Sequence, residues 1–338
     1  MSDFHLGARL GRDVLRHPET LETLLSALDG VSRLVLLGDV VELLEGRPDR
    51  SMPIAEPVLR AIGARVGAGG EIIVVPGNHD RALVRPWFRE RGVPSRVDAS
   101  IPLDATPLLS RLTAWLAPAR VSVRYPGVWL SDGVWATHGH YLDRHLVPEV
   151  AYGIGRGELG RVPREGALPT DYERHGGPSL TRVEALMTRW LPRPLALLSD
   201  DAAELLRAVT MPRIPRRAVT RRFSWLNAML LGEQMRRASI PALARVVRSL
   251  GVEADWVVFG HVHRLGPLAR DDARRWSGPN GAPRIANTGS WIYEPLLLHH
   301  ATPPHPYWPG GAIVLPEGGE PRPVGLLDEV DASSLRPS

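Results

Sequence analysis

Four short apolar runs along the chain each stop at a compact set of polar residues. Arg33–Leu37 ends at Gly38-Asp39, Glu71–Val75 at Pro76-Gly77-Asn78-His79-Asp80, Val134–Thr137 at His138-Gly139-His140, and Asp255–Phe259 at Gly260-His261-Val262-His263. Runs of this length, rich in Val, Ile and Leu and closed by Gly or Pro, read as buried strands. Each predicted strand thus delivers chemically useful side chains at its C-terminal end.

Helical spacing fills the intervals. Asp13–Leu28 and Pro53–Val66 carry apolar residues at helical period, so the first half predicts alternating strand and helix. Residues 153–179, rich in Gly, Pro, Arg and Glu, predict a long surface loop. Beyond it Leu180–Leu191, Leu195–Ala208, Ser224–Arg237 and Pro241–Leu250 predict helices punctuated by Pro192, Pro194, Pro212 and Pro215. Ile285–Ser290 and Ala312–Leu315 predict closing strands, and the chain from Pro316 a loose tail. The expected organisation is a discontinuous core over 1–150 and 251–315, a mainly helical insertion over 151–250 that could act as a cap, and a tail over 316–338.

Composition narrows the chemistry. With 338 residues, 43% of them hydrophobic, the chain can bury a sizeable core. The formal charge of +4 comes entirely from arginine on the basic side, for lysine is absent. These arginines are interspersed with acids, which disfavours nucleic acid while leaving an anionic substrate or a membrane surface open. The absence of cysteine excludes disulfides, thiolate nucleophiles and cysteine-ligated metals, so His, Asp and Asn remain as ligands. No apolar run approaches the roughly 18 residues of a membrane span and no signal-peptide pattern opens the chain, which predicts a cytoplasmic location.

The polar sets suit metal binding. Asp3 and His5 are spaced i, i+2, as are His261 and His263, and on an extended backbone such pairs project to one side. Asp39 follows Gly38 and offers two carboxylate oxygens that can bridge two ions. Asn78 adds a hard amide oxygen, His138 another imidazole, and His79 an imidazole that can stay free for acid or electrostatic work. A lone histidine at a strand end is more often structural than a ligand, but here the combination recurs in separate segments. His140, Asp143 and His145 could orient ligands, touch substrate, or be plain surface residues; His17, His175, His299, His300 and His305 lack such spacing and read as non-catalytic.

Taken in order, Ser2-Asp3-Phe4-His5, Gly38-Asp39-Val40-Val41-Glu42, Gly77-Asn78-His79-Asp80, His138-Gly139-His140 and Gly260-His261-Val262-His263 resemble the motifs of calcineurin-like metallophosphoesterases. The resemblance covers about 1–145 and 250–292, including Asn287-Thr288-Gly289-Ser290-Trp291. It implies a four-layer α/β/β/α sandwich. It also implies that Asp3, His5 and His263 hold one metal, that Asn78, His138 and His261 hold a second, and that Asp39 bridges them. The ions would be divalent, Mn2+ first and Fe or Zn as alternatives, and a bridging hydroxide would attack the phosphorus of a monoester, diester or pyrophosphate. His79 would be the unligated catalytic imidazole, with Asp80 fixing its ring through the other nitrogen.

Asp3-Phe4-His5-Leu6-Gly7 and the helical insertion are also similar to the UDP-diacylglucosamine pyrophosphohydrolase branch, which typically has Arg after the Asn where His79 stands here. That branch suggests an alternative, a membrane-surface pyrophosphohydrolase acting on a lipid-linked nucleotide. Arg216-Arg217, Arg221-Arg222 and Arg236-Arg237 could then reach phosphate head groups from a peripheral position, or simply solvate the insertion. A non-enzymatic metal-binding scaffold is the remaining alternative, and oligomeric state stays open. The resemblance also implies a buried strand ending at Asp3, yet Asp3 is the third residue, so that strand is expected to be missing or a stub, the first ligands to sit on a fraying terminus, and the natural start to lie upstream of Met1.

Overall fold

The computed structural model describes residues 1–8, 11–44, 47–146, 163–173, 239–298 and 301–337. The helices expected at 180–191, 195–208 and 224–237, together with the paired arginines among them, lie outside the described residues. What is described is a mixed α/β chain built on one curled sheet. Its strands are β1 (Arg33–Leu36), β2 (Glu71–Val74), β3 (Asp98–Ile101), β4 (Arg120–Ser131), β5 (Val134–Thr137), β6 (Trp256–Phe259) and β7 (Arg284–Asn287). The order is β1-β2-β4-β5-β6-β7, with β3 attached to β4.

Pairing is parallel on both flanks and antiparallel where β4 meets β3 and β5. The long β4 serves two partners in turn: residues 120–123 lie beside β2, and residues from Gly127 onward lie beside β5. Neither β3 nor β4 was foreseen. Arg124 and Pro126 interrupt the apolar run of β4, and a proline inside a run argues against a strand.

Strand alternation sorts the side chains into separate cores. Leu34, Leu36, Ile72 and Val74 face one way and pack with Leu24 of α1 (Pro18–Ala27), Leu59 and Ile62 of α2 (Pro48–Val66), and Leu109 and Leu112 of a helix at Pro107–Trp115. Their neighbours Leu37, Ile73 and Val75 face the other way and meet Val128, Val134, Ala136 and Val258 from the far half of the same sheet. Trp135, Val257, Phe259 and Ile285 then turn outward onto Leu243, Val246 and Val247. Strands buried on both faces read as unbroken apolar runs, and each such side chain contributes about 1.5–3 kcal/mol on burial.

Several expectations need correction. Asp13–Leu28 is not one helix: a 3-10 turn at Val14–Arg16 is separated from α1 by His17, extended at φ −82° and ψ 128° because Pro18 follows it. Helix α2 begins earlier than expected, at Pro48, and runs through Pro53 and Pro57. Within the segment expected as a surface loop, Pro169–Glu173 form a helical turn with Tyr172 and Glu173 buried. Residues 239–249, expected inside the insertion, form a helix that packs on β5, β6 and β7. Among the described residues the 312–315 strand lies outside the main sheet: β8 (Gly311–Val314) pairs with β9 (Arg322–Gly325) in a two-stranded sheet. The 316–338 segment is therefore no loose tail, for it carries β9 and buries Leu327 and Leu335.

The first residues are tied to the sheet by backbone hydrogen bonds. Leu37 N–H donates to Met1 O (2.7 Å), Asp3 N–H to Gly38 O (3.0 Å), His5 N–H to Asp39 O (2.8 Å), Leu6 N–H to Val40 O (3.0 Å) and Glu42 N–H to Leu6 O (3.0 Å). Residues 1–6 thus lie as a parallel stub beside β1 and its continuation, and Phe4 is buried edge-on against Trp291.

Candidate metal centre

Left-handed backbone is concentrated at the strand ends. Among the described residues the non-glycine positions with positive φ are Asp3 (56°), His5 (44°), Asp39 (53°), His261 (70°), His263 (57°) and Asn280 (62°). All but Asn280 are expected metal ligands. Each such residue costs about 1–2 kcal/mol in this region, and strain of this kind persists only where surrounding structure enforces it. The i, i+2 pairs are therefore not on extended backbone, as expected, but on alternating left-handed turns. The ladder contacts of residues 1–6 hold the first of these turns. Glycines make room beside these turns: a Cβ at Gly77 would strike Asp39 Oδ1, and one at Gly260 would strike Ser2 Oγ and lie 2.6 Å from Asp3 Oδ2.

These turns bring the donors together. His263 Nε2 lies 3.2 Å from Asp3 Oδ1, while His5 Nε2 is 3.8 Å from Asp3 Oδ1 and 3.7 Å from Asp39 Oδ2. On the other side His138 Nε2 lies 3.1 Å from Asp39 Oδ2 and 2.9 Å from Asn78 Oδ1. Three groups, Asp3-His5-His263, His5-Asp39-His79 and Asp39-His138-His261, each keep their donor atoms within 4.8 Å of one another and could hold a metal ion. Asp39 belongs to two of them, with Oδ2 turned toward His5 and His138 while Oδ1 accepts the His79 N–H at 2.8 Å.

Two donor atoms at the centre, Asp3 Oδ1 and His5 Nε2, are buried without a hydrogen bond. An orphaned buried polar atom costs about 1–3 kcal/mol, and a cation is the partner that a carboxylate oxygen and an imidazole lone pair both accept. Carboxylate, amide oxygen and imidazole together suit hard to borderline divalent ions.

The electrostatics agree. Burial alone would raise the Asp39 carboxyl, but His138, His79 and His5 hold it well below its usual range; Asp3 is likewise held low by His263 and His5 against its burial. Burial alone would lower the imidazoles, yet Asp3, Glu42 and Asp39 raise His5 well above its usual value, Asp39 raises His79, and Asp39 brings His138 to about 9. Raised imidazoles and lowered carboxylates therefore face one another across the centre.

One residue of this centre was quoted in its motif but given no role. Glu42 Oε2 lies 2.9 Å from His5 Nδ1 and 2.7 Å from His79 Nδ1, and its pKa falls to about 2 because these histidines outweigh its burial. The signal was its position three residues beyond Asp39. Asp80 does not fix the His79 ring, as expected: its carboxylate accepts from Val40 N–H (2.8 Å) and Gly77 N–H (2.6 Å). Buried beside Asp39, it rises to about 6 and staples two ligand-bearing loops together.

The residues after His138 divide. Asp143 Oδ1 lies 2.9 Å from His261 Nε2, whereas His145 Nε2 pairs with Tyr172 OH at 3.0 Å. His140 is buried with its ring 5.5 Å from that of His138 and its Nε2 3.7 Å from Glu173 Oε1. Glu173, which sequence reasoning missed, also pairs with Arg81 and accepts from Tyr125 OH. Among the described residues, no helix is long and apolar enough to cross a membrane. Neither a family model nor a curated protein matches the chain.

Proposed function

We propose that the chain is a dinuclear-metal phosphoesterase of the calcineurin-like kind, with a four-layer α/β/β/α core and a helical insertion. One observation carries the proposal: Asp3, His5, Asp39, His138, His261 and His263, drawn from distant segments, fall into overlapping donor groups linked through His5 and Asp39, and Asn78 Oδ1 adjoins them at His138. The succession of three apolar clusters, with the two halves of the sheet facing each other across the middle one, supports the layered core.

Asp3, His5 and His263 would hold one ion, Asn78, His138 and His261 the other, and Asp39 both. Two such divalent ions, Mn2+ first among them, would supply Lewis acidity toward the phosphoryl oxygens and lower the pKa of water. His79 lies close enough to His5 and Asp39 to act as a ligand. We assign it instead to substrate, because Asp3, His5, His263 and Asp39 already give the first ion four protein donors and substrate needs the remaining positions. With Nδ1 on Glu42, His79 can offer Nε2–H to the phosphoryl group or its leaving oxygen.

The test is hydrolysis of p-nitrophenyl phosphate and bis(p-nitrophenyl) phosphate by the protein loaded with Mn2+. Turnover is expected, and Asp39→Ala should abolish it. A metal-replete protein inactive across monoesters, diesters and pyrophosphates would favour the scaffold alternative.

A further inference from the structure

We infer that Asp143 is a positioning residue for the second ion: it occupies Nε2 of His261 and thereby turns Nδ1 of that ring toward the ion shared with His138, Asn78 and Asp39. The inference rests on the dinuclear reading above.

Local structure fixes Asp143 firmly. Directly after His138 the chain turns at Gly139, whose φ of 106° is open to glycine, and enters the 3-10 turn His140–Leu142 and then the short helix Asp143–Leu146. Leu142 N–H donates to Gly139 O at 2.9 Å. Tyr141 and Leu142 are buried in the apolar cluster that covers β5 and β6. Asp143 is thus anchored by the same turn that carries His138. From there its Oδ1 reaches His261 Nε2 at 2.9 Å.

The imidazoles around Asp39 follow one rule. His5 has Nδ1 on Glu42 Oε2 at 2.9 Å and leaves Nε2 without a hydrogen bond; His138 has Nδ1 on Leu37 O at 2.9 Å and turns Nε2 to Asp39. In each, an oxygen takes one nitrogen, fixes the proton there, and leaves the other lone pair for the centre. In the proposed arrangement His261 exchanges the nitrogens: Asp143 takes Nε2, and Nδ1 is left for the group that His261 forms with Asp39 and His138. Its backbone is held separately, since His261 N–H donates to Asp3 Oδ2 at 3.0 Å. Without Asp143 the ring, 14% exposed, loses the contact that sets its tautomer and its rotation.

The experiment is a Mn2+ titration of metal-stripped protein, followed by electron paramagnetic resonance and by metal analysis, for wild type, Asp143→Ala and Asp143→Asn. Wild type should bind two ions and give an exchange-coupled signal. Asp143→Ala should weaken the second ion about 10–100-fold, leave the first unchanged, and show a mononuclear signal at the same loading. Asp143→Asn should recover most of the affinity, because its amide oxygen still accepts from Nε2–H. The idea is overturned if Asp143→Ala binds both ions as wild type does, if it loses both equally, or if Asp143→Asn is as impaired as Asp143→Ala, which would make Asp143 a direct ligand.

Long-range proton–nitrogen NMR of the metal-free wild type at alkaline pH gives a check that needs no variant to fold. It should find His261 as the Nε2–H tautomer, and an Nδ1–H tautomer would overturn the inference. A wild type that binds fewer than two ions would instead sink the dinuclear reading, and the tautomer would then decide the Asp143 contact alone.

Discussion

The two flanks of Asp39 are built from similar donors but held in different ways. On the flank of His5, both the ligand and the neighbouring His79 depend on one side chain, Glu42, while His263 is 36% exposed. On the flank of His138, the ring is fully buried and its outer nitrogen rests on a main-chain oxygen, that of Leu37. A backbone carbonyl just beyond β1 cannot be removed by substitution, whereas a carboxylate can. Under the proposed function, the flank of His5 would therefore join metal binding to the catalytic imidazole through a single replaceable group, and the flank of His138 would not.

Replacing that group should produce the largest contrast. Glu42→Ala removes the oxygen from Nδ1 of both rings, so the first ion should weaken about 10–100-fold. Turnover at saturating Mn2+ should still fall about 10^2–10^4-fold, because His79 loses its orientation. The second ion should keep its affinity. Calorimetric titration with Mn2+, paired with kcat measured at metal saturation, separates these effects. Equal weakening of both ions would mean that the flanks are not independent.

The unequal flanks also explain which parts of the centre were legible in the sequence. Strand ends such as Gly38-Asp39 and Gly260-His261 stand out because β1 and β6, buried on both faces, are uninterrupted apolar runs. What residues 163–173 contribute was hidden. Glu173 sits in a stretch rich in Gly, Pro and Arg with no apolar period, and only tertiary contact brings it to Arg81 and Tyr125. The left-handed turns were hidden for another reason: Asp and His enter positive φ more readily than other non-glycine residues but are still uncommon there, and the conformation of Asp3, His5 and His263 is imposed by ladder contacts and close glycines. Glu42 and Asp80 show the limit of spacing arguments. Both are carboxylates near His79, and only geometry reveals that the nearer one in sequence serves the loops and the distant one the ring.

Proton release should distinguish the flanks next. A ligand imidazole must be neutral to bind metal, and in the metal-free protein His5 and His138 are raised, the latter to about 9. At pH 7 each ion should therefore displace a proton from its flank, and affinity should climb with pH, on the His138 flank levelling off near pH 9. The sign for stability is opposite. A histidine with a raised folded-state pKa stabilises fully below its unfolded value and loses that contribution as pH rises through the folded one. The metal-free protein should thus melt at progressively lower temperature between about pH 6.5 and 9, while the metal-loaded protein gains stability over the same window. Calorimetry in buffers of different ionisation enthalpy counts the protons; release of none would contradict protonated imidazoles at the centre.

The smallest effect expected is at Ser2, where the His5 flank meets the loop of the last motif. Its buried hydroxyl donates to Asp3 Oδ2 and lies 2.5 Å from Thr288 Oγ1, while Asp3 Oδ2 also accepts from His261 N–H at 3.0 Å. Ser2→Ala leaves the carboxylate with that backbone donor and keeps the ladder contacts of residues 1–6 intact. The cost should be near 1 kcal/mol, the net worth of one hydrogen bond, which is about five-fold in affinity for the first ion with the second unchanged. If Ser2→Ala weakens the first ion as severely as Glu42→Ala does, then Asp3 is held by a cooperative network rather than by separable contacts. Glu42 would then no longer be the single group on which that flank depends.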